Sequence, residues 1–333
     1  MKCTVGVSIM SLEILYLSKR DVKETELTMA EMINVVEEAF REKGEGKVEM
    51  PPKPGIHPRT DAFIHAMPAF IPRMKAAGMK WVSGFPDNCK CNLPYIMGIL
   101  VLNDPETGAP ICIMDASWVT AKRTGAATAV AAKYLARKDS KVFGILGCGV
   151  EGRSNLEAVF TAFKGLEEVR AYDISKANLQ RYVSEMTEKH GLSVVPVDSP
   201  KKAVKECDIV MTAGPILKHP KPVIEAAWFN DGGFACPLDF DSYWKPQAMR
   251  SMHKFCTDDL EQLLYYQSVG YFKDIPNVYA DLGELAAGKK PGRENDSERT
   301  MSVNLGLAIE DMATAIKIYE KAKGKGIGTW LKL

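Results

Sequence analysis

Three glycines in the run Gly147-Cys-Gly149-Val-Glu-Gly152 follow the apolar stretch Lys141–Leu146 and precede a helically spaced one, and that order gives them chemical meaning. The first glycine lets the chain turn sharply out of a strand, the second lets backbone approach a pyrophosphate, and the third lets helix pack closely on strand. The helix N-terminus then faces the phosphates. Asp173 ends the next apolar run, 26 residues beyond Gly147, near the roughly 20-residue offset of a carboxylate that binds an adenosine ribose. Its charge suits two ribose hydroxyls and repels a 2′-phosphate, so the expected cofactor is NAD, with NADP tolerated through the nearby Lys176 and Arg153. The expected cofactor set is Gly147, Gly149, Val150, Glu151, Gly152 and Asp173, with Thr124 and Thr212.

The elements that must carry this turn read clearly. Lys141–Leu146, Glu168–Tyr172, Leu192–Val197 and Ile209–Thr212 have strand character and alternate with helical runs at Asn155–Phe163, Lys176–His190 and Ser199–Cys207. Such alternation implies right-handed crossovers and a parallel sheet. Before it, the alanine-crowded, proline-free Trp118–Ala136 must be a helix. Earlier still the chain is β-rich with one helix, Thr28–Arg41, capped by its threonine. Strands are expected at Ile14–Leu17, Met79–Val82, Ile96–Leu102 and Ile111–Met114, the last two joined by the turn Asp104-Pro-Glu-Thr-Gly108, while Phe63, Ile64, Met67 and Phe70 suit strand and loop. A final helix, about Leu305–Lys323, turns Leu307, Ile309, Met312, Ala315 and Ile316 inward and returns to the first domain.

Forty-three Lys and Arg against 42 Asp and Glu give a net charge of +1, so no global field draws nucleic acid or an anionic membrane, and a small neutral or zwitterionic partner fits better. No apolar run approaches the roughly 18 residues needed to span a bilayer, and Met1–Met10 lacks the apolar stretch of a signal peptide, so a cytoplasmic location is expected. The eight cysteines are scattered and read as reduced thiols. Cys89 and Cys91 form a close pair with no second ligand pair at metal spacing, so no metal is expected.

Gly78-Met-Lys80-Trp-Val-Ser, Pro86-Asp-Asn88, Asp104-Pro-Glu-Thr-Gly108, Met114-Asp115 and Thr120-Ala-Lys-Arg123-Thr-Gly-Ala-Ala precede the glycine turn; Asp281-Leu-Gly-Glu-Leu, Gly288-Lys-Lys-Pro-Gly-Arg293 and Gly306-Leu-Ala-Ile-Glu-Asp311 follow it. Together they resemble the ornithine cyclodeaminase/mu-crystallin family from about Leu12 to the last helix. The resemblance implies an α/β fold: a Rossmann-type parallel-sheet dinucleotide-binding domain, 126–308, inserted into a mixed α/β substrate-binding and dimerisation domain, 1–125 and 309–333. It implies a homodimer and hydride transfer between a nicotinamide and an amino-acid Cα or its imine. Such a site needs cations for the α-carboxylate and a proton-transfer group. Arg123 offers a planar fork and Lys80 a point charge beside the reacting carbon. A further arginine expected after a proline pair is Lys53 here, with Arg59 as its rival, and His65 stands where ornithine cyclodeaminases carry a glutamate. Where those enzymes place an acid beside the nicotinamide, this chain has Ala235 if aligned on Cys236-Pro237, or Asp239 or Asp241 if a gap is allowed. Phe234, Phe240, Tyr243 and Trp244 crowd that loop and suit an apolar or aromatic substrate side chain. Three readings stand at this point: an imino-acid (ketimine) reductase or amino-acid dehydrogenase, ornithine cyclodeaminase itself, and a non-catalytic dinucleotide- and ligand-binding protein of the mu-crystallin kind.

Overall fold

A computed structural model describes residues 12–333; Met1–Met10, where no signal peptide is expected, and Cys3 lie outside the described residues. The described residues run from β1 (Glu13–Leu17), α1 (Lys19–Glu24) and α2 (Met29–Gly44) to β2 (Gly55–Ile56), β3 (Phe63–Ile71), β4 (Ala76–Gly84), β5 (Ile96–Asn103), β6 (Pro110–Asp115) and α3 (Ala116–Leu135). Thr28 caps α2, its hydroxyl accepting from Glu31 N while the Glu31 carboxylate accepts from Thr28 N, a reciprocal arrangement that satisfies two otherwise orphaned donors. Asp115 ends β6 and caps α3 by accepting from Trp118 N at 3.1 Å, which starts that helix two residues earlier than its alanine content suggested.

The second part runs β7 (Val142–Leu146), α4 (Val150–Ala162), β8 (Glu168–Tyr172), α5 (Lys176–His190), β9 (Ser193–Pro196), α6 (Pro200–Val204) and β10 (Ile209–Thr212). It continues with β11 (Phe234–Pro237), α7 (Pro246–Arg250), β12 (Lys254–Thr257), α8 (Leu260–Ser268), β13 (Ala280–Asp281), α9 (Leu282–Ala286) and β14 (Thr300–Val303). The chain closes with α10 (Ala308–Lys325) and β15 (Thr329–Lys332). The sequence did not announce β11, β12 and β14: they are four-residue strands with every residue buried, too short to show a period. Nor did it announce β15, fully exposed along its length, which pairs antiparallel with β1. The last helix starts at Ala308 rather than Leu305 because Gly306, at φ +79°, breaks the helical path.

Two sheets result. One has the order β15-β1-β6-β5-β4-β3-β2 and is antiparallel except for the β1–β6 pair; the other, β13-β12-β14-β11-β10-β7-β8-β9, is parallel throughout. In the second, the chain reverses direction of travel between β7 and β10, the crevice where open α/β sheets bind ligands. α10 returns across β3, β4 and β5 of the first sheet. α3 touches both sheets and packs on α4, so the division expected at 125/126 falls inside one continuous helix. That packing is close: a Cβ at Gly125 would lie 2.6 Å from Ser154 O.

Register decides what faces inward in the first sheet. Met67, Lys80, Leu100, Met114 and Leu17 pair in one row across five strands, all buried, with Lys80 the charged residue in an otherwise apolar row. Because strand side chains alternate, Met79 and Trp81 must point to the other face. Among the described residues no helix is long and apolar enough to cross a membrane.

Replacing Gly125 by Ala should push α3 away from α4, since the clash is with backbone. The expected cost is about 1–3 kcal/mol of stability, read from the midpoint of urea unfolding at unchanged slope.

Candidate active site

A cavity of about 550 Å³ lies between the two sheets. It is lined by Lys80 of β4 and Arg123 of α3, by Glu151 of the glycine run, by Ala213 and Leu238 just after β10 and β11, and by Phe63, Tyr95 and Ile96. Both cations are buried, at 1% and 5% exposure, which removes the alternative that they are solvated surface charges. They are held by two acids at the start of α10. Lys80 Nζ forms an ion pair with Asp311 Oδ2 at 2.7 Å; Arg123 Nη1 donates to Glu310 Oε2 at 2.6 Å and Arg123 Nε to Asp311 Oδ1 at 3.0 Å. Arg123 Nη2 makes no hydrogen bond among the described residues, leaving one edge of the guanidinium for a ligand.

These environments set the proton affinities. Burial, and the neighbouring Arg123 charge, lower the Lys80 ammonium to about 8 despite Asp311. Burial acts in the same sense on Arg123, but Asp311 and Glu310 outweigh it and hold the guanidinium firmly charged. Burial, then the charge of Lys53, lowers His65 to about 3, so this imidazole is neutral at ordinary pH; it stacks on Phe63 with ring centres 4.3 Å apart. Lys53 Nζ donates to Leu305 O at 3.0 Å and Gly306 O at 3.3 Å, while Asp258 Oδ2 accepts from both amides of the same turn at 2.7 Å. Gly306 cannot be replaced there: besides its left-handed φ, a Cβ would lie 2.7 Å from Arg123 Nη1.

The glycine turn fits a dinucleotide. Gly147, at φ +105°, has Ala213 O 2.5 Å from where a Cβ would be, Gly152 has Gly147 O at 2.3 Å, and Gly149 faces open space at the N-terminus of α4. The space over Gly149 is what a phosphate would fill. Asp173 accepts from Cys148 N at 2.8 Å and Ser175 N at 2.7 Å, which fixes the carboxylate at the mouth of the turn. Val150 is 68% exposed beside it. Glu151 and Thr124 border the cavity, Thr124 donating to Thr120 O at 2.8 Å.

Some expected residues lie elsewhere. Asp239, read as an acid of the reaction, is fully buried and does not border the cavity: Oδ1 accepts from Thr212 Oγ1 at 2.7 Å and Oδ2 from Gly214 N at 2.8 Å. Burial raises it to about 7, against those two bonds, so it clasps β10 to the following loop. Thr212 is fully buried with it, off the cavity wall. Ala235 is inside β11, and Asp241 accepts from Phe272 N at 3.1 Å, also away from this cavity. Of the four aromatics read as substrate contacts, Phe240 alone lines the cavity; Phe234 and Trp244 are core, and Tyr243 packs over Gly214. Arg59 stands exposed at the rim. Cys91 is exposed, and among the described residues no group of three or more His, Cys, Asp or Glu gathers around a metal-sized space.

A family model, ornithine cyclodeaminase/mu-crystallin family, matches residues 13–326. The chain belongs to this family. Alanine dehydrogenase of Archaeoglobus fulgidus is 38% identical over 329 residues, covering 96% of this chain and 99% of that protein. Among solved structures, Thermococcus litoralis Δ1-pyrroline-2-carboxylate reductase in complex with NADH and L-proline superposes with a TM-score of 0.85 at 35% identity, covering 95% of this chain and 99% of that one. An archaeal alanine dehydrogenase dimer with bound NAD gives 0.86 at 37% identity, covering 97% and 100%. Glu310 and Asp311, which close the family motif Gly306-Leu-Ala-Ile-Glu-Asp311, are site residues to which the sequence reading gives no role. Their signal was present: two acids set among inward-facing Ile309 and Met312, where a solvated charge has no place.

Replacing Asp311 by Asn leaves Lys80 and Arg123 facing each other in a buried space without the charge they share. The variant should lose roughly 3–5 kcal/mol of stability, the usual cost of breaking a buried ion pair from one side, measured by urea unfolding.

Proposed function

We propose that this chain is an NAD(H)-dependent oxidoreductase acting at a CH–NH bond, an imino-acid reductase or amino-acid dehydrogenase. The observation that carries the reading is the buried pair of Lys80 and Arg123 bordering a cavity that Glu151 of the glycine run also lines. When bound there, the nicotinamide supplies or accepts a hydride. The chain's own residues do the rest. Lys80 and the free edge of Arg123 take the substrate carboxylate in two fixed directions, and so set the angle of Cα to the cofactor. Phe63, Tyr95, Ile96 and Phe240 exclude water from the substrate side chain. Gly147, Gly149 and Gly152, with Val150, Glu151 and Thr124, form the cofactor cradle, and Asp173 takes the ribose hydroxyls.

This reading is favoured over ornithine cyclodeaminase by His65. A neutral imidazole stacked on Phe63 offers a distal ammonium no charge, and Asp239, with both oxygens engaged, is not placed to handle its proton. Neither residue thus serves a distal ammonium, and Phe63, Tyr95, Ile96 and Phe240 in the cavity lining favour an apolar substrate side chain.

The chain also forms a homodimer, in this proposal, through the outer face of its first sheet. Pro68, Met79, Val101, Ile113 and Tyr16 pair across five strands on that face, and Trp81, Ile99 and Tyr16 are 42%, 44% and 43% exposed. An apolar sheet face of this width needs a cover, and a second copy offers the same face by two-fold symmetry. Light scattering at micromolar concentration should give twice the 36.7 kDa chain mass, and Trp81→Glu should return it to one.

The decisive assay offers NADH or NADPH with a panel of cyclic imines, and of 2-oxo acids with ammonium, following absorbance of the reduced nicotinamide. Net cofactor consumption is expected on substrates with apolar side chains, and L-ornithine should not be cyclised. Arg123→Lys, which keeps the charge and loses the fork, should cost about 1.5–3 kcal/mol in kcat/KM, and Lys80→Met more, with cofactor affinity unchanged. Wild-type turnover by Lys80→Met would remove the carboxylate clamp and favour a binding protein.

A further inference from the structure

Hydride transfer to an imine needs a proton delivered to nitrogen, and Asp239 and Asp241, the acids that the family resemblance offers for it, do not border the cavity. Two carboxyl groups border that cavity among the described residues. Asp61 is on the exposed turn between β2 and β3. Glu151 is on the inner wall, in the first turn of α4, on the same wall as the glycine turn and beside the cations of the clamp.

We propose that Glu151 is the catalytic residue that exchanges the proton of the substrate nitrogen, rather than only a cofactor contact. The assignment rests on the oxidoreductase reading above. In the reducing direction, as the hydride of reduced nicotinamide adds at Cα, the π pair of the C=N bond moves onto nitrogen. Glu151 gives up its proton there, N–H forming as the carboxyl O–H breaks, and solvent reprotonates the carboxylate. In the oxidising direction the carboxylate takes a proton from the substrate ammonium, and the nitrogen lone pair then forms C=N as hydride leaves Cα.

The surroundings suit a group that must hold and release a proton. Charged neighbours face Glu151 from three elements: Arg123 from α3, Lys80 from β4 and Glu310 from α10. Burial raises its carboxyl to about 7 against the pull of Arg123 and Lys80, with Glu310 adding to the rise. Within its own helix, Asn155 Nδ2 approaches Glu151 Oε2 at 3.4 Å, a long contact that leaves the carboxyl available to the cavity. Lys80 competes poorly for the role. Its ammonium is paired with Asp311 and is needed charged for the carboxylate.

The test compares wild type, Glu151→Gln and Glu151→Asp. NADH affinity is read by fluorescence titration, and kcat for imine reduction is followed from pH 5.5 to 9. Glu151→Gln, which keeps the side chain's size in the cradle, should bind NADH within a few-fold of wild type and lose roughly 10²-fold or more in kcat. Wild-type kcat should fall as pH rises through about 7, where the acid form disappears, and Glu151→Gln should lack that limb. Glu151→Asp should recover part of the loss and keep the limb. Equal kcat and parallel pH profiles in wild type and Glu151→Gln would overturn the assignment, as would a loss confined to NADH affinity, which would make Glu151 a cofactor-positioning residue. A wild type that reduces no imine while binding NADH would sink the functional reading itself, and this assignment with it.

Discussion

Two cations and two acids share a volume from which water is excluded, and the architecture around them follows from that. Placing Lys80, Arg123, Glu310 and Asp311 out of water costs several kcal/mol for each ion, recovered only if the partners meet at good geometry. They come from β4, α3 and α10, elements far apart in sequence, so pairing them requires α10 to return across the first sheet after the second has been built. The apolar inward row of the first sheet and the alanine-rich faces of α3 enclose the cluster and make the pairing obligatory: a misplaced α10 would strand four charges in a core. The same arrangement leaves Arg123 Nη2 for a ligand in the cavity that this residue lines, because Nε and Nη1 already donate to Asp311 and Glu310.

The parts of this molecule that could be read from its sequence are those in which a local signal coincides with a local structure. β7, β8, α5 and β10 lie where periodicity puts them, since each is an apolar strand or amphipathic helix bounded by its own caps. The turn at Gly147 is legible because Gly147 and Gly152 each meet a separate steric need within six residues, while Gly149 between them leaves open space at the start of α4. What escaped is non-local. Asp239 carries an acid's side chain in a motif position, yet its two bonds to Thr212 and Gly214 can be known only when β10 and β11 are seen side by side. Glu310 and Asp311 lie in the first turn of α10, a position that acids favour for reasons unrelated to any site. Their partners are some two hundred residues away.

The turn at Leu305 and Gly306 shows how one short segment serves both parts. Its amides donate to Asp258, its carbonyls accept from Lys53, and its missing side chain makes room for the Arg123 guanidinium. Lys53 reaches it from the segment before β2, Asp258 from the end of β12, and Arg123 from α3. Any shift of one sheet against the other must break these contacts together. The cavity floor is thereby rigid where a reacting carbon must be held to a fraction of an ångström, while the apolar wall of Phe63, Tyr95 and Ile96 meets the substrate through contacts that tolerate variation.

The charges also say how a carboxylate can be bound at all. Lys80 and Arg123 are each neutralised by an acid from α10, so these four residues alone carry no net charge and would attract an anion through direction rather than through field. Lys53 changes that sum. It stands within reach of Arg123's charge, and burial, opposed by Asp258 and reinforced by Arg123, lowers it to about 8. An arriving carboxylate adds a negative charge beside these three cations, and so favours the protonated forms of Lys53 and Lys80 together. Affinity for the substrate acid should then fall as pH rises past about 8, as those ammonium groups lose their protons, although Arg123 stays charged throughout. Arginine at the position of Lys53 would hold the anion over a wider pH range, and lysine there ties carboxylate binding to proton uptake at the cavity floor.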